Sequence, residues 1–313
     1  MHNRFVIYGC GRYEMSENLI GVDIGGTKIL MAVTDTNGTV KKRMEIPTTD
    51  DSPQEILSQI CGVIKSFGRC RSVGVGIAGD VDSERGILRF SPNLPKWRKI
   101  NIKKYIEKNT NIPVCVENDA NCAAYGSYVI DGGRKYKNFV TITLGTGVGG
   151  GIIIDGKIYR GSTGSAGEIG HITINPDGPK CGCGNRGCLE AYIGTQGIKN
   201  IAGQLGFKAE KVTPATIAAA AEKGDRTALD VYKKVSEYLA VGVGSIINIF
   251  NPDMISFAGG VANNFNLMEN NLRQELAVHS FETPLKHVKI VRTKNIKNLG
   301  AIGASLIFPK EDL

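Results

Sequence analysis

Two similar stretches of sequence, each made of a strand, a glycine-rich turn and a second strand, constrain the fold of this chain most. The first spans residues 19–33 around the turn Asp23-Ile24-Gly25-Gly26-Thr27. The second spans residues 139–154 around Gly145-Thr146-Gly147-Val148-Gly149-Gly150-Gly151, 120 positions later. A pattern that recurs at such a distance indicates a duplicated structural unit. We therefore expect two related lobes, with both glycine turns at a shared cleft.

The rest of the chain alternates between predicted strands and helices. Ser52-Pro53-Gln54-Glu55 has a serine N-cap, a proline at the first helical position and a glutamate three residues later, which predicts a helix towards Phe67. Further strands are predicted at residues 73–77, 114–117, 254–257 and 288–291, and further helices near 102–108, from Asp119, from Glu190, from Pro214, over Arg226–Phe250 and from Gly300. This alternation is typical of an α/β protein.

The length of the chain fits two lobes that each bury a core. It has 313 residues, and domains commonly contain about 100–200. Residues 1–18 have no clear periodicity and are interpreted as an N-terminal extension. We expect a small N-terminal α/β lobe of residues 19–117 plus 299–313 and a large C-terminal α/β lobe of residues 118–298, with the last helix returning to the first lobe.

Composition and charge exclude several classes of protein. The formal net charge is +8, but the basic residues are scattered, without the aromatic-interleaved stripe of an RNA-binding surface. A phosphate-handling enzyme is therefore favoured over a nucleic-acid partner. No run approaches the ~18 apolar residues of a membrane span, and the N-terminus lacks a signal-type apolar segment. We expect a cytoplasmic protein without membrane contact.

The glycine turns suit phosphate binding. Asp23-Ile24-Gly25-Gly26-Thr27-Lys28 combines accessible backbone N–H groups with a hydroxyl, a cation and a carboxylate that could lie on the Mg²⁺ side of a nucleotide. On its own, the sequence fits a plain hairpin turn equally well. A third turn, Ala258-Gly259-Gly260-Val261, follows a predicted strand and could contact adenosine or phosphate, or serve only strand–helix packing.

Two common nucleotide-binding motifs are excluded. Gly145, Gly147 and Gly150 match the spacing of a dinucleotide-binding turn, but that motif requires a following helix. Here the β-branched residues 152–154 and the turn Asp155-Gly156 follow, so a second strand is predicted. The chain also has no Walker A sequence. Any nucleotide would therefore lie between paired hairpins.

A cluster of one histidine and three cysteines predicts a metal site. His171, Cys181, Cys183 and Cys188 supply one imidazole and three thiolates, a closed set suited to tetrahedral structural zinc. Unconnected core thiols are the alternative, but the surrounding glycines give little apolar cover. A catalytic zinc is disfavoured because four protein ligands leave no open position.

Asp119 is the candidate for acid–base chemistry. It follows a predicted strand and begins a predicted helix, where an acidic side chain could serve merely as a cap or as a partner of the helix dipole. Strand ends at the cleft of an α/β fold also bind ligands, and a carboxylate there can accept a hydroxyl proton. Both interpretations are open from Asp119 alone.

Taken together, these motifs resemble the ROK family (repressor, ORF, kinase) of bacterial sugar kinases and sugar-responsive repressors. The resemblance covers nearly the whole chain from Leu19. The segments that carry it are residues 23–28, Ser91-Pro92-Asn93-Leu94-Pro95, residues 117–121, residues 144–151, Glu168-Ile169-Gly170-His171 and residues 181–190. It implies the actin-like, hexokinase-like (ribonuclease H-like) ATPase fold and transfer of the γ-phosphoryl group of Mg·ATP to a sugar hydroxyl, typically O6 of a hexose.

The resemblance also assigns roles to residues. Asp119 matches the general base, and the expected cofactors are ATP, Mg²⁺ and structural Zn²⁺. The sugar-binding positions implied are Gly79, Asn93, Asn118, Asp119, Glu168, His171 and Glu190, and the ATP-binding positions are Asp23, Gly25, Gly26, Thr27, Lys28, Gly145, Thr146, Gly147, Gly259 and Gly260. His171 would bind zinc through one ring nitrogen and offer the other to the sugar.

Several alternatives stay open at this point. Segments 91–95 and 144–151 resemble glucokinase-type members, which favours glucose, but N-acetylmannosamine, fructose and other hexoses remain as substrates. A ROK-type repressor needs a DNA-binding helix-turn-helix domain, for which we expect the 18 residues before the first strand to be too few. A sugar sensor without catalysis is the other rival. Because members of this family are often dimers or tetramers, the resemblance implies a homo-oligomer.

Overall fold

The computed structural model describes residues 18–49, 51–294 and 296–308. The predicted extension, residues 1–18, therefore lies outside the described residues except for Asn18, and so does the end of the chain after residue 308. In the part described, no helix is long and apolar enough to cross a membrane.

The secondary structure contains thirteen strands and ten α-helices within those residues. The strands are β1 (Leu19–Ile24), β2 (Lys28–Thr34), β3 (Val40–Pro47), β4 (Ser72–Ile77), β5 (Asp80–Asp82), β6 (Ile87–Phe90), β7 (Arg98–Asn101), β8 (Val114–Asn118), β9 (Phe139–Leu144), β10 (Val148–Ile154), β11 (Lys157–Ile158), β12 (Met254–Ala258) and β13 (Lys289–Arg292). The helices are α1 (Pro53–Ser66), α2 (Ile102–Thr110), α3 (Asp119–Ile130), α4 (Leu189–Ile193), α5 (Thr195–Gln204), α6 (Pro214–Glu222), α7 (Arg226–Phe250), α8 (Glu269–His279), α9 (Glu282–His287) and α10 (Leu299–Leu306).

Two five-stranded sheets share one topology. The first has the order β3-β2-β1-β4-β8 and the second the order β11-β10-β9-β12-β13. In each, the first three strands are antiparallel and the last two pair in parallel. The duplication inferred from the glycine turns is thus present in the sheets themselves. A third, three-stranded sheet, β5-β6-β7, follows β4 in the chain.

Local sequence signals account for one helix in each of the two cores. Ser52 caps α1 as predicted, and a complete capping box forms because the Glu55 side chain returns to the backbone N–H of Ser52. Apolar residues of α1 then pack on the first core, with Ile56, Ile60 and Ile64 fully buried. The α7 helix has the predicted bounds and supplies a large part of the second core.

The final helix returns to the first sheet, as predicted. It packs on β1 and β4, whereas α3 packs on β9 and β10, and the two helices contact each other. Small residues make this close approach possible: a methyl group on Gly21 or Gly74 would overlap the backbone of α10, and one on Gly303 would overlap the carbonyl oxygen of Cys122. The pair α3–α10 therefore lies between the two sheets.

The second glycine turn is shorter than predicted. The turn comprises Gly145 to Gly147, and the next four residues, Val148 to Gly151, already belong to β10. A methyl group on Gly151 would overlap Ala124 of α3, and one on Gly150 would overlap Ile169. These later glycines allow α3 and Ile169 to pack closely against β10. From the sequence alone, glycines needed for close packing look the same as glycines of a turn.

Candidate active site

Asp119 begins α3 at the carboxyl end of β8. The cap of the helix is Asn118, whose Oδ1 accepts from the N–H groups of Ala120 at 2.9 Å and Asn121 at 3.2 Å. The interpretation of Asp119 as the cap is therefore wrong, whereas its expected place as an acidic residue in the first turn of the helix is confirmed. Burial raises the pKa of Asp119 and nearby Glu168 raises it further, while the N–H of Ala120 opposes the shift.

Asp23 lies beside Asp119, at the end of β1. Burial, followed by the negative charge of Asp119, raises the pKa of Asp23 to about 7, and Lys28 opposes this. The Lys28 ammonium forms an ion pair with Glu45 on β3 at 2.9 Å, with both side chains more than half exposed. The charges of two carboxyl groups thus interact where the first glycine turn meets α3.

The first glycine turn is held by its own backbone and by Thr48, the residue that follows β3. Gly25 donates its N–H to the carbonyl of Lys28 at 3.0 Å, and Thr48 donates its hydroxyl to the carbonyl of Gly25 at 2.7 Å. Gly26 and Thr27 at the tip are exposed. Neither of these two hydrogen bonds uses the N–H group of Gly26 or of Thr27.

Asn93 lies against this turn, and Gly79 lies next to Asn118. A methyl group on Gly26 would contact Asn93 at 3.3 Å, so the Asn93 side chain covers the turn. Next to it is a cavity of about 210 Å³, whose lining is formed by Gly26, Thr48, Thr49, Asp51, Asn93, Leu94, Pro95, Lys96 and Trp97. Gly79 has a φ of +136°, which only glycine adopts readily, and its carbonyl accepts from Nδ2 of Asn118 at 3.1 Å.

The second glycine turn contacts Glu190. The Oε2 atom of Glu190 accepts the N–H of Val148 at 2.9 Å, and a methyl group on Gly147 would overlap the same oxygen. Thr195 fixes the turn from the other side by donating its hydroxyl to the carbonyl of Gly145 at 2.9 Å. Glu190, predicted as a sugar ligand, therefore also holds the backbone beside the second turn.

The third glycine turn adjoins the second. Gly259 has a φ of +89°, and a methyl group on it would overlap the backbone of Leu144, the residue that precedes the second turn. Gly260 is exposed. The parallel pairing of β12 with β9 explains this arrangement, because it brings the carboxyl ends of the two strands together.

The histidine and three cysteines form a compact cluster. The ligand atoms of His171, Cys181, Cys183 and Cys188 all lie within 4.8 Å of one another. The sulfurs of Cys183 and Cys188 are 3.7 Å apart, and Nδ1 of His171 is 3.6 Å from the Cys181 sulfur. Tetrahedral zinc, with Zn–S of about 2.3 Å and Zn–N of about 2.0–2.1 Å, would require about 3.8 Å and about 3.6 Å. The donor set and its spacing fit a four-coordinate metal ion.

His171 contacts both the cysteines of the cluster and the acidic residue Glu168. Nδ1 of His171 faces Cys181, whereas Nε2 faces the Glu168 carboxylate at 3.9 Å. Cys181 also lies 3.7 Å from Oε1 of Glu190. The cluster is thus in contact with both acidic residues, and a metal bound to Nδ1 would leave Nε2 directed away from the metal.

Most of the predicted site residues come together. Asp119 is coupled by charge to Asp23 and Glu168, and His171, Cys181 and Glu190 connect Glu168 to the second turn. Asn93 and Gly79 lie on the side of the first turn and β4. The ammonium of Lys28 is bound to Glu45 on the outer strand of the sheet, and it reaches the site only through its charge, which acts on Asp23.

One buried ion pair was not predicted. The carboxylate of Glu117 is 1% exposed and lies 2.6 Å from Nε of Arg160, which follows β11. A glutamate that ends an apolar strand was the only signal in the sequence, and nothing in it pointed to Arg160 as the partner, 43 residues away.

Known proteins resemble this chain along most of its length. The ROK family profile matches residues 19–311. A glucokinase from Thermotoga maritima is 32% identical, with 92% of this chain and 96% of that protein covered. A xylose repressor from Bacillus spizizenii is also 32% identical, with 92% of this chain and 76% of that protein covered. The crystal structure of a ROK family glucokinase from Streptomyces griseus with glucose and AMPPNP superposes with a TM-score of 0.78 at 32% identity, covering 92% and 98% of the two chains.

The two sheets of equal topology, with a glycine turn after the first strand of each, define the actin-like, hexokinase-like class of α/β protein. Within that class, the match over residues 19–311 assigns the chain more narrowly. The chain belongs to the ROK family.

Proposed function

We propose that this protein is an ATP-dependent hexose kinase that phosphorylates O6 of a hexose, with glucose as the preferred substrate. The observation that carries the proposal is the position of Asp119, which is coupled by charge to Asp23 at the first glycine turn and to Glu168 beside His171. Phosphoryl transfer to a hydroxyl requires a base placed between the groups that bind phosphate and the polar groups that hold the acceptor. Asp119 lies between the first glycine turn and the polar residues Glu168 and His171. The likeness to glucokinases from Thermotoga maritima and Streptomyces griseus supports glucose.

Asp119 acts as the general base in this proposal. Its carboxylate accepts the proton of the sugar O6 hydroxyl as that oxygen attacks the γ-phosphorus, and the bond from phosphorus to the bridging oxygen of ADP breaks. A carboxylate with a raised pKa is a stronger base than an ordinary aspartate, so the raised pKa of Asp119 serves the step. The base keeps its position because the cap of α3 is made by Asn118.

The sugar is held by polar groups around Asp119. Glu168 and Nε2 of His171 offer hydrogen bonds to hydroxyl groups, and Asn93, Asn118, Gly79 and Glu190 complete the proposed clamp. Glu190 uses Oε2 for the N–H of Val148, and Oε1, which lies 3.7 Å from the Cys181 sulfur, is the atom proposed to accept from a sugar hydroxyl. The sugar clamp and the second glycine turn thus share one side chain.

ATP enters as the Mg²⁺ complex and is bound by the glycine turns. The exposed N–H groups at the tip of the first turn suit phosphate oxygens, and the second turn, Gly145-Thr146-Gly147, offers a similar tip. Gly259 and Gly260 adjoin the second turn and complete the nucleotide side. Asp23, at the end of β1 next to the first turn, would hold Mg²⁺ through the water shell of that ion, and the ion would neutralise phosphate charge.

The Cys₃His cluster is proposed to hold one structural Zn²⁺. His171, Cys181, Cys183 and Cys188 would occupy all four positions, so that the ion supplies rigidity and no reaction step. Burial raises the pKa of Cys188 to about 12, which keeps its thiol protonated without a metal. Binding of zinc would therefore release protons and fix the ring of His171.

A coupled ADP-release assay tests the proposed reaction. Purified protein is assayed with Mg·ATP and glucose, mannose, fructose, N-acetylglucosamine or N-acetylmannosamine, and polyphosphate replaces ATP in a parallel series. We expect the highest kcat/KM with glucose and ATP. Faster turnover of N-acetylmannosamine or fructose would assign one of those kinase activities instead, and sugar binding without ADP release from any sugar would support the sensor.

A further inference from the structure

We propose that Arg160 is a positioning residue that joins the sugar clamp to the catalytic base through the buried carboxylate of Glu117. The proposal rests on the function proposed above, because it concerns the geometry of that same site. Arg160 contacts neither the sugar nor ATP in this proposal.

Glu117 has a buried carboxyl group with hydrogen-bond partners on both oxygens. Its carboxylate is 1% exposed. Oε2 accepts from Nε of Arg160 at 2.6 Å, and Oε1 accepts from Ser83 at 3.0 Å, the N–H of Asn118 at 2.9 Å and Nδ2 of Asn121 at 3.1 Å. Two of these donors flank Asp119 in the chain. The carboxylate therefore binds the backbone N–H immediately before the proposed base and the side chain of Asn121 shortly after it.

Arg160 begins the segment that delivers Glu168. This segment, residues 160–168, contains three glycines with positive φ, at positions 161, 164 and 167. It is closed on itself by the N–H of Ala166, which donates to the carbonyl of Arg160 at 3.1 Å. Its end at Glu168 leads directly into the short helix that carries His171. A segment so rich in glycine needs an external anchor to hold Glu168 in place.

The segment has a second attachment, which is exposed. Nη1 of Arg89 donates to the carbonyl of Thr163 at 3.1 Å, and Ser165 donates to Oδ1 of Asp80 at 3.2 Å. Exposed contacts of this kind contribute little because water competes for them. The Arg160–Glu117 pair is the stronger anchor, since one of its partners is buried.

A role in stability alone explains the pair poorly. Removing a carboxylate from water costs several kcal/mol, and an apolar pair of similar volume often stabilises a fold equally well. What an apolar pair lacks is a directed bond. The guanidinium fixes both the distance and the angle between the Glu168 segment and the end of β8, and phosphoryl transfer is sensitive to displacements of about 1 Å.

Kinetics of Arg160→Met test the proposal, with Arg273→Met as the matched control. Arg273 is also an ion-paired arginine, bound to Glu269 on α8. For Arg160→Met we expect kcat to fall about 100-fold and the KM for glucose to rise about tenfold, while the KM for ATP stays within about twofold. The Arg273→Met variant should retain all three values. A structural role alone would not separate the KM for sugar from that for ATP.

Two further variants keep the test decisive if Arg160→Met folds poorly. Arg160→Lys keeps the charge but cannot reproduce the directed Nε bond, so we expect a smaller loss with a normal melting temperature. In the double variant Glu117→Gln/Arg160→Met, the loss should be much smaller than the product of the two single losses. Values of kcat and glucose KM within about twofold of wild type for Arg160→Met, or strictly multiplicative losses, would overturn the proposal.

Calorimetric binding of glucose separates this proposal from the proposed function. If the wild type binds glucose but releases no ADP, the kinase fails, and weaker glucose binding by Arg160→Met than by Arg273→Met still supports the anchor. Equal binding by the two variants rejects the anchor in that case. If the wild type neither binds a sugar nor releases ADP, both proposals are rejected.

Discussion

Replacement of Asp119 by asparagine is predicted to remove catalysis and leave the fold as stable as before, or more stable. Asparagine has the same shape but cannot accept the proton. The helix start should persist because the bonds to the N–H groups of Ala120 and Asn121 come from Asn118. The substitution therefore acts on chemistry and on charge, with little effect on packing.

The size of the kinetic effect follows from the role of a base. General acid–base catalysis contributes about 10²–10⁴ in rate, which corresponds to about 3–5 kcal/mol of transition-state stabilisation. We expect kcat to fall by a factor in that range. The affinity for glucose should change by less than about tenfold, because the remaining clamp residues are retained.

The effect on stability has the opposite sign. The pKa of Asp119 is raised in the folded protein, mainly by burial, so the ionised form destabilises the fold at pH values above the raised pKa. This penalty declines as pH falls through the folded pKa and is absent below the unfolded pKa. Asparagine carries no such penalty, so the melting temperature of Asp119→Asn should equal or exceed that of wild type at pH 8.

The assay combines steady-state kinetics with thermal melting. Asp230→Asn, which removes an exposed carboxylate from α7, is the matched control and should behave as wild type in both. A kcat within tenfold of wild type for Asp119→Asn would remove Asp119 from the base role. A loss of activity that follows a lower melting temperature would instead assign it to folding.

Three further predictions concern the metal cluster, the first glycine turn and the contact between α3 and α10. Cys183→Ser should lower both the zinc content and the affinity for glucose, whereas Cys70→Ser, outside the cluster, should change neither. Metal analysis and calorimetry would contradict this if Cys183→Ser kept one zinc atom per chain and an unchanged affinity. Asp23→Asn should raise the melting temperature at pH 8, because the ionised carboxylate destabilises the fold above its pKa of about 7, and this gain should shrink as pH falls towards 3.8. An equal gain in melting temperature at pH 8 and near pH 3.8 would refute the raised pKa of Asp23. Gly303→Ala should destabilise the fold by about 1–3 kcal/mol, because the added methyl group would overlap the backbone of α3, whereas Gly62→Ala in α1 meets open space and should stabilise it by about 0.5–1 kcal/mol. Chemical denaturation would contradict the packing argument if both substitutions changed the free energy of unfolding in the same direction.

The position of Glu190 shows why predicted roles need a structure. The sequence places it next to the cysteine cluster, and the resemblance makes it a sugar ligand. Its bond to the N–H of Val148, 42 residues earlier, couples it to the second glycine turn as well. Residues far apart in sequence meet only when β10 and α4 pack, so no local pattern could predict this bond.

The amino-acid sequence by itself determined the local elements and the grouping of nearby ligands. The capping box of α1, the bounds of α7 and the duplicated glycine turns depend on hydrogen bonds and periodicity within a few residues, which the sequence displays directly. The same holds for three cysteines within eight positions.

Tertiary structure alone decided which charges meet and which glycines are turns. The Glu117–Arg160 pair, the placement of Asp23 beside Asp119 and the close packing of Gly151 on α3 all arise where one sheet or helix approaches another. Such contacts depend on the relative position of whole elements, which is set by the packing of two cores. The physical reason is that a side chain's sequence neighbours fix its backbone conformation, whereas its partners across the cleft fix its chemistry.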